Sequence, residues 1–310
     1  MKILLTGGAG FIGSHLLERL LARGDDVAVI DDFNDYYDPA IKRGNLPRGG
    51  FRLYERDIRA SAEIVLREKP DLVVHLAARA GVRPSQSNPA LYESVNVAGT
   101  LGLLEACRTA GVSRFVFASS SSVYGNAPVP FREDFDDLRP ISFYGVTKLV
   151  GEHYVRVYSR LHGLRATCLR FFTAYGPRQR PDMAIHAFTA AIDQGREIPM
   201  FGDGSTERDY TFVTDIVQGL LGAIDTPEPF AIYNLGESRT VTLRRLIELI
   251  GENVGKTPRI KQLPEQPGDV QRTCASIDRA RARLGYSPKV AIEEGLKQFV
   301  AWYRERGIHP

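Results

Sequence analysis

The stretch LLTGGAGFIGSH, residues 4–15, decides the fold that the sequence predicts. An apolar strand leads directly into Gly7, Gly10 and Gly13, and an amphipathic helix follows them. Glycines at this spacing let the chain turn sharply, approach a diphosphate closely and pack the helix against the sheet. The free amides and the positive dipole at the start of that helix favour an anion. The stretch therefore predicts the first strand, turn and helix of a dinucleotide-binding domain.

An acidic pair follows the next predicted strand, Val27–Ile30. Asp31 and Asp32 stand 18 and 19 residues beyond Gly13, where a carboxylate accepts hydrogen bonds from the adenosine ribose. A carboxylate at this place also repels the 2′-phosphate of NADP. We therefore expect NAD as the cofactor, with Asp31 as the main ribose ligand because it comes first after the strand. The nearby Arg43 would weaken this preference.

Short apolar segments alternate with amphipathic segments along the first half of the chain. Predicted strands cover 2–6, 27–30, 72–76, 115–118 and 166–171, and predicted helices cover 13–23, 99–110 and 143–162. Apolar strands separated by helices indicate a parallel sheet that is covered on both faces. The predicted fold class is therefore α/β: a doubly wound parallel sheet of the Rossmann type with a smaller C-terminal α/β domain.

The pattern changes after Gly176, where prolines and glycines become frequent and the predicted helices shorten. Residues 232–235 are apolar enough to form one more strand of the main sheet, whereas 258–268 is typical of a Pro-rich loop. We expect a first domain over 1–175, with 211–236 returning to it. A second domain is expected over 176–210 and 237–310.

Composition and charge exclude several classes of protein. With 40 basic and 37 acidic side chains interspersed along the chain, we expect no nucleic-acid partner, because nucleic-acid binders gather their cations into patches. The sequence has no apolar run near the ~20 residues that span a bilayer, and no signal-peptide pattern before its first strand. Cys107, Cys168 and Cys274 are widely spaced and odd in number. We therefore expect a cytoplasmic protein without membrane contact, disulfides or a metal site.

Tyr144 and Lys148 stand four residues apart near the start of the predicted helix 143–162, so their side chains share one face. A nearby ammonium and the positive charge of an oxidised nicotinamide lower the pKa of a phenol, which makes it a usable base. The serine run 119–122 follows a predicted strand, at the end where open parallel sheets bind ligands. We expect its hydroxyls to hold a substrate hydroxyl and to relay its proton to Tyr144.

Four motifs together resemble the extended short-chain dehydrogenases/reductases: TGGAGFIGSH at 6–15, HLAA at 75–78, SSSSVYG at 119–125 and YGVTK at 144–148. Within that superfamily the chain is similar, over almost its whole length, to the NAD-dependent nucleotide-sugar epimerases and dehydratases. The resemblance implies tightly held NAD in the Rossmann domain and a smaller domain that binds a nucleotide diphosphate sugar. It also implies a homodimer, formed through the two helices near 99–110 and 143–162.

The resemblance further implies roles for individual residues. Ser120 matches the catalytic serine or threonine, which acts beside Tyr144 and Lys148. Cofactor contacts are implied for Gly7, Gly10, Phe11, Ile12, Gly13, Asp31, Asp32, Asn34, Asp57, Ile58, Leu76, Ala77, Ala78, Asn96, Tyr144 and Lys148. Substrate contacts are implied for Arg83, Ser120, Ser121, Ser122, Thr173, Arg180, Met200, Arg208, Asp269 and Arg272. Of these, Arg208 and Arg272 match positions that clamp the diphosphate, as bidentate guanidinium groups can.

Two further stretches narrow the resemblance. AGVRPS at 80–85 and YGPRQRPDMA at 175–184 are most similar to the UDP-glucuronate 4-epimerases. That match implies that Thr173, Arg180 and the serines hold the C6 carboxylate of a uronate. In the 4,6-dehydratases an acid pair follows the catalytic residue, but residues 121–122 are both serine here, which disfavours removal of water.

The implied activity is UDP-glucuronate 4-epimerisation, with UDP-galacturonate as the product. In this reaction NAD takes a hydride from C4, the resulting 4-keto sugar turns over, and the hydride returns to the other face. UDP-glucose 4-epimerisation needs the same machinery and stays open, as does decarboxylation of UDP-glucuronate through the same ketone. A catalytically inactive NAD-binding protein is a further alternative, although Tyr144 and Lys148 are both present.

Overall fold

A computed structural model describes residues 1–264 and 270–306 of the chain. Its strands are β1 (Lys2–Thr6), β2 (Asp26–Asp31), β3 (Phe51–Glu55), β4 (Leu72–His75), β5 (Arg114–Ser120), β6 (Arg165–Phe171), β7 (Thr173–Tyr175), β8 (Glu197–Phe201), β9 (Glu207–Arg208), β10 (Tyr210–Phe212), β11 (Phe230–Leu235), β12 (Val241–Thr242) and β13 (Arg259–Leu263).

Helices alternate with these strands. They are α1 (Phe11–Ala22), α2 (Pro39–Asn45), α3 (Ala62–Glu68), α4 (Val82–Ser87), α5 (Pro89–Tyr92), α6 (Gly99–Ala110), α7 (Phe143–His162), α8 (Ala184–Asp193), α9 (Val213–Asp225), α10 (Leu243–Val254), α11 (Asp278–Leu284) and α12 (Ile292–Glu305). A π-helical segment, Glu93–Ala98, joins α5 to α6. Among the described residues, no helix is long and apolar enough to cross a membrane.

Seven strands form one parallel sheet in the order β3-β2-β1-β4-β5-β6-β11. The chain moves outward from β1 to β3 and then crosses back to β4, so the strand order reverses between β1 and β4. In sheets of this kind ligands bind outside the carboxyl ends of the strands, at the reversal point. The α/β, doubly wound Rossmann-type fold predicted from the sequence is confirmed.

The sheet is buried on both faces because its strands alternate apolar side chains between two cores. Leu5 of β1 belongs to a core shared with Leu16 and Leu20 of α1. Leu4, its neighbour in the chain, belongs to the opposite core, which it shares with Leu103 of α6. This two-sided packing holds the carboxyl ends of the strands in fixed positions.

Smaller elements lie beyond the main sheet. Three short strand pairs form there: β7 with β10, β8 with β13, and β9 with β12. Helices α8, α10 and α12 pack against one another beside them. The strand predicted at 232–235 lies within β11, the outer strand of the main sheet next to β6.

Two segments differ from the sequence-based expectation. No strand was predicted at Phe51–Glu55, which forms β3 at the edge of the sheet; its side chains are half-buried or exposed and lack an apolar run. The predicted loop at 258–268 was wrong at its start, because Arg259–Leu263 forms β13 and pairs in parallel with β8. Four of its five residues are exposed, so backbone pairing rather than apolar burial makes it a strand.

Candidate active site

A cleft of about 380 Å³ opens at the carboxyl ends of β1, β2, β4, β5 and β6. It runs from the glycine turn at Gly7 to the catalytic candidates Tyr144 and Lys148. Fifteen of the predicted cofactor residues line it: Gly7, Gly10, Phe11, Ile12, Gly13, Asp31, Asp32, Asn34, Asp57, Ile58, Leu76, Ala77, Ala78, Tyr144 and Lys148. Five predicted substrate residues line it as well: Ser120, Ser121, Ser122, Thr173 and Arg180.

The glycine turn requires its glycines. Gly7 has a left-handed φ of +73°, and a Cβ there would lie 2.7 Å from the amide nitrogen of Ala77. A Cβ on Gly13 would lie 2.1 Å from the carbonyl oxygen of Gly7. Gly10 is the N-cap of α1 and brings no side chain to the helix start, which leaves the first amides of the helix open to an anion. The turn is therefore a cradle that fits a diphosphate.

Asp31 is held at the end of β2 by backbone amides. Its carboxylate accepts hydrogen bonds from the amides of Ala9, at 3.0 Å, and Phe33, at 3.1 Å. Burial raises its pKa, whereas those amides and the charge of Lys42 favour the ionised form. A fixed carboxylate at this position can accept from ribose hydroxyls.

Arg43, which was expected to weaken the preference for NAD, makes its contacts with Glu55 and Phe33. Its guanidinium pairs with Glu55 at 2.7 Å and stacks over the Phe33 ring at 4.2 Å. Both side chains of the pair are about half exposed. The adjacent Lys42 instead reaches the cleft lining, where its ammonium donates to the backbone oxygen of Asn34 at 2.6 Å.

Asn96 lies behind the cleft rather than in its lining. Its side chain accepts from the amide of Arg79, at 2.8 Å, and donates to the carbonyl oxygen of the same residue, at 2.9 Å. It also donates to Thr147 of α7 at 3.1 Å. The structure therefore gives Asn96 a supporting position, holding the segment after β4 against the helix that carries Tyr144.

Tyr144, Lys148 and Ser120 come together at the ends of β5 and α7. Ser142 caps α7 by accepting from the amide of Gly145 at 3.1 Å, which places Tyr144 in the first turn. The Lys148 ammonium donates to the carbonyl oxygen of Ala118 at 2.7 Å and lies 5.9 Å from the centre of the Tyr144 ring. The Ser120 hydroxyl donates to that of Ser122 at 3.0 Å and lies close enough to Tyr144 to act on the pKa of its phenol.

The electrostatics of this group suit proton transfer. Burial raises the pKa of Tyr144, while the neighbouring Ser120 and the charge of Arg180 act to lower it. Burial lowers the pKa of Lys148 to about 8, against the attraction of Glu152. Lys148 therefore loses its proton more readily than an ordinary lysine. Its charge is then sensitive to the protonation of neighbouring groups such as Tyr144.

Four predicted substrate residues lie outside the lining of this cleft: Arg83, Met200, Arg208 and Arg272. The Arg83 guanidinium stacks over Phe201 at 4.8 Å, and Met200 is buried on β8. Arg272 pairs with Glu207 at 3.0 Å, next to Arg208 on β9. Arg208 follows Glu207 in the chain and Arg272 pairs with Glu207, so the two arginines lie close together. Asp269 lies outside the described residues.

Sequence reasoning missed several residues that the structure brings into the lining. They include Tyr36, Tyr37, Lys42, Arg56 and Arg79. The Tyr36 hydroxyl donates to Asp182 at 3.3 Å, across 146 positions of the chain. A signal was present, because Tyr36 follows the carboxyl end of β2 by five residues and ligands bind at that edge.

The half-buried phenol of Tyr144 and the buried ammonium of Lys148, at one end of a dinucleotide cleft, suit hydrogen transfer at a carbon that carries a hydroxyl. The class defined by this fold and site is that of nicotinamide-dependent enzymes of the short-chain dehydrogenase/reductase type. The chain belongs to the NAD dependent epimerase/dehydratase family, whose model matches residues 3–236. NAD is accordingly its cofactor, and the cradle at Gly7–Gly13 with the carboxylate of Asp31 fits that cofactor.

Similar proteins of known name agree with this membership. UDP-glucuronate 4-epimerase 5 of Arabidopsis thaliana is 42% identical over 330 residues, which cover 98% of this chain and 75% of that protein. A structure of UDP-glucuronic acid 4-epimerase from Bacillus cereus, in complex with UDP-glucuronic acid and NAD, superposes with a TM-score of 0.93 at 35% identity, over 99% of this chain and 100% of that one. UDP-glucose 4-epimerase from Thermus thermophilus, in complex with NAD, gives a TM-score of 0.91 at 36% identity, over 98% of this chain and 99% of that one.

Proposed function

We propose that this protein is a UDP-glucuronate 4-epimerase that interconverts UDP-glucuronate and UDP-galacturonate. One observation carries the substrate assignment: the guanidinium of Arg180 lies in the same cleft as Tyr144, close enough for its charge to act on the phenol. Hydroxyls of Thr173, Ser121 and Ser122 line that cleft too. A cation beside hydroxyl donors is the chemistry that a sugar carboxylate needs. Relatives named for this activity support the assignment.

Tyr144 and Ser120 handle the proton of the C4 hydroxyl in this proposal. Tyr144 accepts that proton directly or through the neighbouring Ser120, and returns it when the alcohol is restored. Lys148 supplies positive charge beneath the Tyr144 ring, which favours the phenolate. Bound NAD supplies a reversible hydride acceptor at C4, so the sugar passes through a 4-keto form.

The sugar must present its other face before the alcohol is restored. Rotation about the diphosphate linkage achieves this if the diphosphate itself stays fixed. Arg208 and Arg272 are our candidates for holding it, because both are cations on neighbouring segments of the smaller domain. Binding would require Arg272 to share or leave its ion pair with Glu207.

A uronate substrate is open to a side reaction, the loss of its carboxylate as carbon dioxide. A ketone at C4 is β to the C6 carboxylate, an arrangement that readily loses carbon dioxide. Arg180 and Thr173 would restrain the carboxylate so that its breaking C–C bond stays out of alignment with the ketone. This restraint separates an epimerase from a UDP-glucuronate decarboxylase, which uses the same ketone.

UDP-glucose 4-epimerisation is the second candidate, and one observation favours it. Arg180 is already paired with the carboxylate of Asp182 at 2.9 Å, so a neutral hexose would meet no unpaired charge. A catalytically inactive NAD-binding protein is disfavoured, since Tyr144, Lys148 and Ser120 lie together in one cleft.

We also propose the domain division, the cytoplasmic location and the assembly expected from the sequence. Residues 1–175 with 211–236 form the NAD-binding domain, because β11 completes its sheet, and 176–210 with 237–310 bind the nucleotide sugar. A homodimer is supported by apolar side chains exposed on α7: Phe143, Val146, Val157 and Leu161. Light scattering of the purified protein measures the dimer directly.

The decisive experiment incubates the purified protein with UDP-glucuronate or UDP-glucose separately, adds no cofactor, and identifies the sugars by NMR. Formation of UDP-galacturonate supports the proposal, and formation of UDP-galactose without UDP-galacturonate supports the second candidate. Release of a UDP-pentose with carbon dioxide would reveal a decarboxylase. Conversion of neither sugar, in protein shown to carry NAD, would sink the assignment.

A further inference from the structure

Arg180 is bound by a carboxylate of the protein itself. Its Nε and Nη2 atoms each donate to Asp182 at 2.9 Å, so the pair is bidentate. The Tyr36 hydroxyl donates to the same carboxylate at 3.3 Å, and the Arg180 guanidinium lies 5.3 Å above the centre of the Tyr36 ring. Asp182 therefore holds Arg180 in one orientation, with Tyr36 bracing both side chains.

Both partners stay charged at neutral pH. Burial acts to lower the pKa of Arg180, but the hydrogen bond and the charge of Asp182 raise it overall. Burial acts to raise the pKa of Asp182, but Arg180 holds it below the usual range. The Arg180 side chain is 18% exposed and that of Asp182 is 39% exposed, so water screens the carboxylate more than the guanidinium. The pair as a whole brings no net charge to the sugar end of the cleft.

Given the proposed function, the Arg180–Asp182 ion pair affects the binding of a neutral hexose and the binding of a uronate differently. A neutral hexose can bind with the Arg180–Asp182 pair intact and without leaving the charge of Arg180 unpaired. A uronate brings a second carboxylate to the same guanidinium, where it must share Arg180 with Asp182 and lies near a like charge. Each carboxylate weakens the hold of the other on Arg180.

We propose that Asp182 is a specificity-determining residue, which competes with the sugar C6 carboxylate for Arg180 and so lets the cleft accept neutral UDP-hexoses beside UDP-uronates. Without the Asp182 charge, Arg180 would be an unpaired cation at the sugar end of the cleft. A uronate would then bind more tightly and a neutral hexose less tightly. The preference between the two sugars is therefore set by the pair rather than by Arg180 alone.

The test replaces Asp182 by the isosteric amide, Asp182→Asn, and titrates the NAD-loaded protein with UDP-glucuronate and with UDP-glucose by calorimetry. The measured quantity is the Kd for UDP-glucose divided by the Kd for UDP-glucuronate. We expect this ratio to rise roughly tenfold in the variant, at the low end of the coupling measured for close charge pairs. A ratio that stays unchanged or falls would overturn the proposal.

Two further variants separate charge competition from simple damage to the loop. Asp182→Glu restores a carboxylate and should return the ratio toward the wild-type value. Asp134→Asn is the matched control, because Asp134 makes the same two-residue bidentate pair with Arg132, at 3.0 and 2.7 Å, on an exposed surface. It should leave the ratio unchanged. Equal weakening of both sugars by Asp182→Asn would indicate a structural role and overturn the proposal.

The outcome also distinguishes this inference from the proposed function. A wild-type protein that binds no UDP-glucuronate would overturn the proposed function, and this inference with it. A wild-type protein that binds and epimerises UDP-glucuronate, but whose Asp182→Asn variant keeps the same ratio, would overturn this inference alone.

Discussion

Glu152 of α7 and Arg170 of β6 form a bidentate ion pair in the interior, with nitrogen–oxygen distances of 2.9 and 2.8 Å. The side chains are 3% and 2% exposed. Ser119, which precedes the catalytic candidate Ser120, donates to the same carboxylate. Glu152 lies one helical turn beyond Lys148. The pair therefore fixes the helix that carries Tyr144 and Lys148 against the strands that carry the serines.

We expect Glu152→Gln to lower the free energy of unfolding by about 3–5 kcal/mol, because it leaves the Arg170 cation buried without its partner. Urea denaturation monitored by circular dichroism measures the change. The control Asp134→Asn breaks an exposed pair and should cost at most about 1 kcal/mol. A loss for Glu152→Gln no larger than that of the control would contradict this interpretation.

Replacing Tyr144 by Phe should reduce turnover of the UDP-sugar by roughly 10²–10⁴-fold, the usual contribution of a general acid or base. Binding of NAD and of the UDP-sugar should change little, since the ring remains. Initial rates by NMR and affinities by calorimetry measure the two effects. Tyr154→Phe, on the same helix, is the control and should keep turnover near the wild-type rate. If the Tyr144→Phe variant turned over the UDP-sugar at a rate close to that of the wild type, Tyr144 would be excluded as the base.

Replacing Arg180 by Ala should lower turnover of UDP-glucuronate and increase the fraction of UDP-pentose among its products. The physical reason is that a carboxylate without its guanidinium can rotate into the geometry for loss of carbon dioxide. Chromatography of the nucleotide products measures the fraction. Arg180→Lys keeps the charge but not the bidentate geometry. Its fraction of UDP-pentose should therefore lie between that of the wild type and that of Arg180→Ala. An unchanged ratio in Arg180→Ala would rule out the restraint.

The stability of the protein should fall in mild acid partly through His75. Burial lowers the pKa of His75 to about 3, and its ring nitrogens contact Thr6, at 2.7 Å, and Thr100, at 3.0 Å. The unfolded chain takes up a proton on this ring below about pH 6.5 whereas the folded protein does not. The stabilisation is therefore present above about pH 6.5 and is lost as the pH falls from there toward about 3.

Between pH 7 and pH 5 this linkage amounts to about 2 kcal/mol in the free energy of unfolding. Urea titrations at both pH values should show that wild type loses about this much more than His75→Gln, which carries no titrating ring. His153→Gln removes an exposed histidine of α7 and should lose as much as wild type. Equal losses in wild type and His75→Gln would show that the buried ring does not contribute.

Local spacing was enough to predict the parallel sheet and to bring the catalytic candidates Tyr144 and Lys148 to one face of a helix. The glycines of 7–13 and the carboxylate of Asp31 follow their strands directly, and Tyr144 and Lys148 are one turn apart on a single helix. Such features depend on residues close in the chain, where helix and strand periodicity fix which side chains lie together. The parallel sheet followed from apolar strands for the same reason.

The tertiary structure alone decided which strands and side chains far apart in the chain come into contact. β3 and β13 are strands through backbone pairing with β2 and β8 rather than through an apolar pattern, so no local signal marked them. Neither the pairing of Glu152 with Arg170 nor the position of Tyr36 over Arg180 can be read from spacing. Charged side chains are common on surfaces, and only packing shows which of them are buried and obliged to find a partner.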